Sequence, residues 1–511
     1  MFNLYSWDYR PVALALILLT NFSTCPASLE QALTPLQPVE PACMPLCELS
    51  EPQRIAIIGA GISGLRLGDL LQHTFDVTLY EARSERVGGR IFSVKMPHGV
   101  AELGAFNIRD GGKAENFISL IKELGLEFED DQSIKYFDGV ELVDCQSLIK
   151  PYEFTPAILK EKLLTIRKSS ASMADVLRQL FPDNETLQQI FAIKIAAYEG
   201  SAVDKLSASC IDSLYYMLLE ALSVTHASFS DEDGYACRLR IKGGNSVLTE
   251  KLAERLKGKI QLGKVLTSLT RDEDGVYHLS FADGSSTEAD IVVLTVPCPV
   301  YASIVFGDNL IAVDRLKTIQ GILYGVNSKI LYPVKHPQVT GAYTNGRMIA
   351  SYNSRNSVIT SYYINDNGNF DKDSIAAIAE KDLPFLKQIY RFPDQYQEPI
   401  VAEDRAFSSY SGPVGHSWVN DPYARGSYSC LGVGQDETFN ALEYYEGEQV
   451  KKLFAPVDKT LFFGGEAATI LLDFNGTLEA AVETAERLAR IITKVHLPSI
   501  MASPADQQED K

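Results

Sequence analysis

An α/β architecture with α+β insertions is predicted by three stretches of the sequence. The first, "RIAIIGAGISGLRLGDLLQ" from Arg54 to Gln72, is an apolar run, a glycine turn and a helical pattern. The second is "ADIVVLTVP", a further apolar run of strand length. The third is "FFGGEAATILLDFNG", a glycine-rich turn that leads into the helical "TLEAAVETAERLARIITKV". Uninterrupted apolar strands belong to parallel sheets covered on both faces, so these stretches read as one mostly parallel sheet.

In the first unit, Ile55, Ala56, Ile57 and Ile58 form the strand, and Gly59, Gly61 and Gly64 give G-x-G-x-x-G. The glycines serve a tight turn, an open backbone approach to a diphosphate and close helix–strand packing. Ile62 and Ser63 begin the helix, whose N-terminus offers free N–H groups and roughly half a positive charge. A second strand, "DVTLYE", ends at Glu81, 22 positions beyond Gly59, where a carboxylate accepts ribose hydroxyls. Strand, turn, helix and acid together predict a Rossmann-like dinucleotide site, with NAD and FAD both open at this point.

A largely helical region follows, from "KAENFISLIKELGL" through "DSLYYMLLEALSV". Strand patterning returns at "VLTSLTRDEDGVYHLSFADGSSTEADIVVLTVP", where Asp274-Gly275 and Asp283-Gly284 mark the turns of an antiparallel meander. Mixed strands and helices occupy 310 to 415. The expected organisation is a discontinuous dinucleotide domain (52–110, 236–305 and 420–497) interrupted by a mixed-sheet and helical substrate domain (111–235 and 306–419).

At 511 residues the chain exceeds what one core supports. A net charge of −19 argues against nucleic-acid and anionic-membrane partners, and would draw in cationic amines. At the start, Arg10 precedes the apolar run Val12 to Leu19, far shorter than the about 20 residues a bilayer needs. This predicts a signal peptide over 1–27, cleaved near Ala27, and hence an exported, periplasmic or secreted protein with no stable membrane span. Cys25 is an alternative lipid attachment point. Residues 28–51, with Pro35, Pro38, Pro41 and Pro45, read as a linker, and 498–511 as a disordered tail. Cys43 and Cys47 are open to disulfide pairing, and no spacing of the eight cysteines suggests a metal site.

Five segments together resemble the flavin-containing amine oxidases, the family of monoamine, polyamine and L-amino acid oxidases. They are "YEARSERVGGRIFS", "AELGAFNI", "RIKGGNSVLTEKLAERL", "SWVNDPYARGSYS" and "FFGGEAATILLDFNGTLEAAVETAERLARII", in the family's order. The resemblance implies that the glycine turn holds FAD. It also implies cofactor contacts at Glu81, Ala82, Arg83, Gly88, Gly89, Arg90, Gly104, Ala105, Val265, Gly465, Glu466, Thr477 and Leu478. The residues agree with this: Gly88 and Gly89 leave room for a flat ring, and Arg83 and Arg90 are potential donors to phosphate.

By the same resemblance, Lys329 in "GVNSKILYPV" stands where the family has a lysine bonded through water to the reactive flavin nitrogen. Trp418 and Tyr428 match an aromatic beside the flavin and one wall of the amine cage. Ser427 stands where monoamine oxidases carry the cysteine joined to flavin, so the FAD is expected to be non-covalent. Thr477 replaces the second cage tyrosine of the monoamine oxidases.

The function implied is oxidation of a small-molecule amine to an imine, with oxygen reduced to peroxide. The alternatives are an L-amino acid oxidase or monooxygenase of the same superfamily, and a flavin-binding protein without turnover. For a substrate carboxylate, Asn107 stands at the usual arginine position and Arg109 could act instead. Glu199 is the candidate acid for a polyamine, read here as a solvated loop carboxylate.

Overall fold

The computed structural model describes residues 52–106, 114–130, 145–222, 239–334, 342–353, 356–390 and 399–497. The leader with Cys25, the linker with Cys43 and Cys47, the pair Asn107 and Arg109, and the tail lie outside these residues.

The strand Arg54–Ile58 pairs in parallel with Asp76–Tyr80 on one side and Ile291–Leu294 on the other. Leu461–Phe463 and Ile260–Gln261 complete a five-stranded parallel sheet, so three separate parts of the chain build it. The burial explains the uninterrupted apolar runs. Ile55 and Ile57 face the helices Ile62–Leu71, Ser246–Arg255 and Leu478–His496 through Leu65, Leu252 and Val482. Ala56 and Ile58 face the opposite side, where Leu269, Tyr277 and Leu279 of the meander pack. In that meander Leu266–Arg271, Tyr277–Phe281 and Ser286–Ala289 are antiparallel, and both expected turn glycines, Gly275 and Gly284, take positive φ.

A second sheet of six strands runs in the order Ala342–Thr344, Met348–Asn353, Val358–Tyr363, Ser328–Pro333, Val414–His416, Ile400–Val401. One face carries Ile330, Tyr332, Ala350 and Ile359, which bury against the helix Ile375–Tyr390. Alternation along each strand sends Lys329, Tyr362, Thr360, Ile349 and Ser351 to the other face. The register sets Lys329 directly between Tyr362 and His416. A helical block, which includes Pro156–Ser169, Glu185–Glu199 and Ile211–Ala221, has its own apolar core around Leu163, Phe191 and Leu214.

Candidate active site

The glycine turn opens onto a cavity of about 820 Å³ that runs from Gly59 and Glu81 to the Lys329 face of the second sheet. Of the described site residues expected from sequence, all but Gly64 line it. Gly64 does the third job read from the motif: a Cβ there would fall 2.0 Å from the Gly59 carbonyl oxygen. Gly61 is the opposite case, since a Cβ at that position would meet nothing within 4 Å. It also begins the Ile62–Leu71 helix with no side-chain cap, so the first-turn N–H groups have no side-chain acceptor there. An open backbone beside a helix end lacking a side-chain cap fits a diphosphate.

The contrast between these glycines is testable. Gly61→Val is expected to give a folded protein that no longer retains a flavin. Gly64→Ala is expected to lose about 1–3 kcal/mol of stability through overpacking. Thermal melts with flavin absorbance separate the two, and a yellow Gly61→Val preparation would remove the turn from the site.

Beyond the turn, Glu81 accepts from Ala60 N at 2.8 Å and Arg83 N at 3.0 Å. Burial pushes its carboxyl above the ordinary value, and those two bonds oppose the shift. Arg83 lines the cavity with its guanidinium already paired within the protein, donating to Asp421 at 2.7 Å and Asp404 at 2.7 Å. Arg90 is likewise paired, donating to Glu466 at 2.8 Å and to the Ser427 carbonyl at 3.1 Å. Glu466 also accepts from Ser429 N, Ser429 Oγ and Gly476 N. Against the burial that would raise it, Arg90 and Ser429 hold this carboxyl below its usual value. It therefore ties the 90, 429 and 476 segments together. Thr477 caps the Leu478–His496 helix, its Oγ1 accepting from Ala480 N.

Lys329 lies in the interior of the second sheet and is 6% exposed, which rules out an edge-strand lysine. Its Nζ donates to the carbonyls of Gly104 at 2.6 Å and Glu102 at 3.2 Å, and sits over the rings of Phe106 and Tyr362. Burial pushes its pKa down to about 7, Glu102 opposing and Arg240 adding to the shift. The neutral amine has two N–H groups, which match the two carbonyls, and one lone pair left as an acceptor.

Trp418 Nε1 donates to the Leu103 carbonyl at 3.0 Å, and its ring meets His416 edge-on at 4.3 Å. The Tyr428 ring fits between Gly200 and Gly476, where a Cβ at either would come within 2.8 Å of it. Val265, Ala82 and Ala105 lie on the cavity wall, and the Val265 carbonyl accepts from Ala282 N.

One reading needs amendment, and three residues are added. Glu199 is not in a solvated loop: it ends the Glu185–Glu199 helix, lines the cavity and accepts from Ser213 Oγ. Tyr362, Asn327 and Phe106 also line the cavity and were not anticipated. Period-two patterning in "VITSYY" places Thr360 and Tyr362 on one face, but only the pairing with Lys329 shows which face meets the cavity.

Comparison with known proteins follows the same lines. The family model for flavin-containing amine oxidoreductases matches residues 62–493. An L-amino-acid oxidase of Mus musculus is 25% identical over 315 residues, 56% of this chain and 48% of that protein. Polyamine oxidase 3 of Oryza sativa subsp. japonica is 25% identical over 465 residues, 84% of this chain and 86% of that one. Among solved structures, a wild-type putrescine oxidase bound to putrescine superposes with a TM-score of 0.62 at 18% identity, covering 86% of this chain and 98% of that one.

Proposed function

Because the chain belongs to the flavin-containing amine oxidoreductases, we propose that it is an FAD-dependent oxidase of a small amine. The reaction removes the equivalent of a hydride from the carbon bearing nitrogen, and the imine product hydrolyses to a carbonyl. The observation that carries this reading is one cavity walled by the glycine turn at one end and by Lys329, Trp418 and Tyr428 at the other. When bound, the flavin supplies the two-electron acceptor and returns those electrons to oxygen as peroxide.

Gly59, Gly61 and Ser63 at the helix N-terminus, Glu81, Gly88, Gly89, and Thr477 and Leu478 would hold that cofactor. The protein's own chemistry is positioning, exclusion of water and proton handling. Trp418 and Tyr428 wall the slot and shed water from an apolar substrate, and their electron-rich rings attract an amine. Above about pH 7 the Lys329 lone pair can hold a water or take a proton inside the cavity. The discontinuous division into a cofactor domain and a substrate domain, and export through the Val12–Leu19 leader, are parts of the same proposal. N-terminal sequencing of protein recovered outside the cytoplasm tests the second.

Non-covalent attachment rests on Ser427, whose Oγ is buried beside the cavity without a hydrogen-bond partner among the described residues. Acid precipitation is expected to release all the flavin into the supernatant; yellow pellets would refute this.

An L-amino acid oxidase is the second reading, favoured by the similarity to that branch and by the buried Lys194 on the cavity wall. The deciding experiment mixes the purified protein anaerobically with putrescine, benzylamine, L-leucine and L-phenylalanine. Bleaching of the yellow chromophore by the amines supports the first reading, and by the amino acids the second. No bleaching across the panel would leave a flavin-binding protein without turnover.

A further inference from the structure

We propose that Asn327 is a positioning residue that sets the width of the substrate slot by tying Tyr362 to Tyr428. The inference rests on the slot described above. Asn327 is 1% exposed and immediately precedes the Lys329 strand. Its Nδ2 donates to the Tyr362 hydroxyl at 2.7 Å and to the Tyr428 hydroxyl at 3.0 Å, and the two hydroxyls lie 3.3 Å apart. Tyr428 in turn donates to the Tyr198 carbonyl at 2.9 Å at the end of the Glu185–Glu199 helix. Three elements remote in sequence thus meet at one amide: the Lys329 strand, the Tyr362 strand and the loop that carries Tyr428.

The consequence reaches the chemistry through Tyr362. This ring is cross-strand from Lys329 and stands 5.6 Å from its Nζ. Tyr362 lines the same cavity as Tyr428. A phenol ring free to swing would change both the slot and the surroundings of the lysine. One charge-neutral bond from the buried Asn327 amide, together with the 3.3 Å approach to the Tyr428 hydroxyl, holds it in place.

The test compares wild type, Asn327→Leu, Tyr362→Phe and the double variant, using whichever compound of the panel bleaches wild type best. Asn327→Leu keeps the branched side-chain outline and removes both donors. Loss of kcat/KM on the order of tenfold is expected for a slot displaced by a fraction of an ångström. It should arise chiefly through KM, with flavin content and Tm close to wild type. Tyr362→Phe should lose a similar factor and the double variant little more, because each removes the same tie. Multiplying losses, or a loss accounted for by missing flavin, would overturn the proposal. Should Asn327→Leu fail to fold, Tyr362→Phe and Tyr428→Phe sever the same bonds from the other end, and unaltered KM in both would overturn it. Wild-type failure to bleach would instead sink the functional reading, and with it this proposal.

Discussion

Replacing Lys329 by Met is expected to leave flavin bound and to slow turnover by roughly 10²- to 10⁴-fold, the range associated with a positioned proton-transfer group. Methionine has similar length, fills the space between Phe106 and Tyr362, and lacks the basic nitrogen and its N–H groups. The structure also gives the sign of the accompanying stability change. Burial pushes the folded lysine to about 7, while its ordinary value is 10.5. Between those values the unfolded chain binds the extra proton, so the lysine's contribution to stability improves as pH rises from about 7 towards 10.5. At pH 7 and below the methionine variant should therefore melt no lower than wild type, and its melting point should lack that rise. In wild type the rate should climb as pH passes through about 7 and the lysine sheds its proton; the variant should lack this limb. Stopped-flow reduction and reoxidation at several pH values measure both half-reactions. Wild-type rates for each in the methionine variant would remove Lys329 from the chemistry.

The residues legible in the sequence are those whose constraints are local. Gly59, Gly61 and Glu81 fall within one strand–turn–helix–strand unit, and each answers to a backbone or cofactor requirement a few positions away. The apolar run of Ile55 to Ile58 likewise announced burial on both faces, and the two cores divide it by alternate residues. What was hidden depends on pairing across the chain. Tyr362 neighbours Lys329 only because two strands align in one register, 33 positions apart. Nothing near Arg83 in the sequence announces its pairing, because its partner Asp421 lies 338 residues away. Glu199 read as a loop acid because its helix ends at the cavity wall, a fact of packing that no spacing records.

Asp421→Ala is the substitution expected to cost the most stability, because Asp421 joins the Arg83 segment to the Trp418 loop. Its two oxygens accept from Arg83 Nη2 at 2.8 and 2.7 Å, one accepts from Tyr423 N at 2.9 Å, and His416 Nε2 lies 3.2 Å away. Arg83 also reaches Asp404, which Arg86 contacts at 2.7 Å, while the Arg86 guanidinium stacks 4.2 Å from the centre of the Phe92 ring. With Asp421 gone, two buried guanidiniums share one half-exposed carboxylate. Breaking a buried pair from one side typically costs about 3–5 kcal/mol, since the remaining charge stays desolvated. Against the burial that would raise it, His416 and Arg83 hold the Asp421 carboxyl well below its ordinary value of 3.8. Its contribution is therefore complete above that ordinary value and disappears as pH falls towards the depressed one. Urea titrations between pH 2 and pH 5 should show a steeper acid loss in wild type than in Asp421→Asn, which keeps the shape without the charge. The same change should loosen Trp418, whose ring rests on His416, so that turnover falls even in the fraction that remains folded. A stability change in Asp421→Ala below about 1 kcal/mol, the scale of a surface ion pair, would show that the cluster does not bind these two segments together.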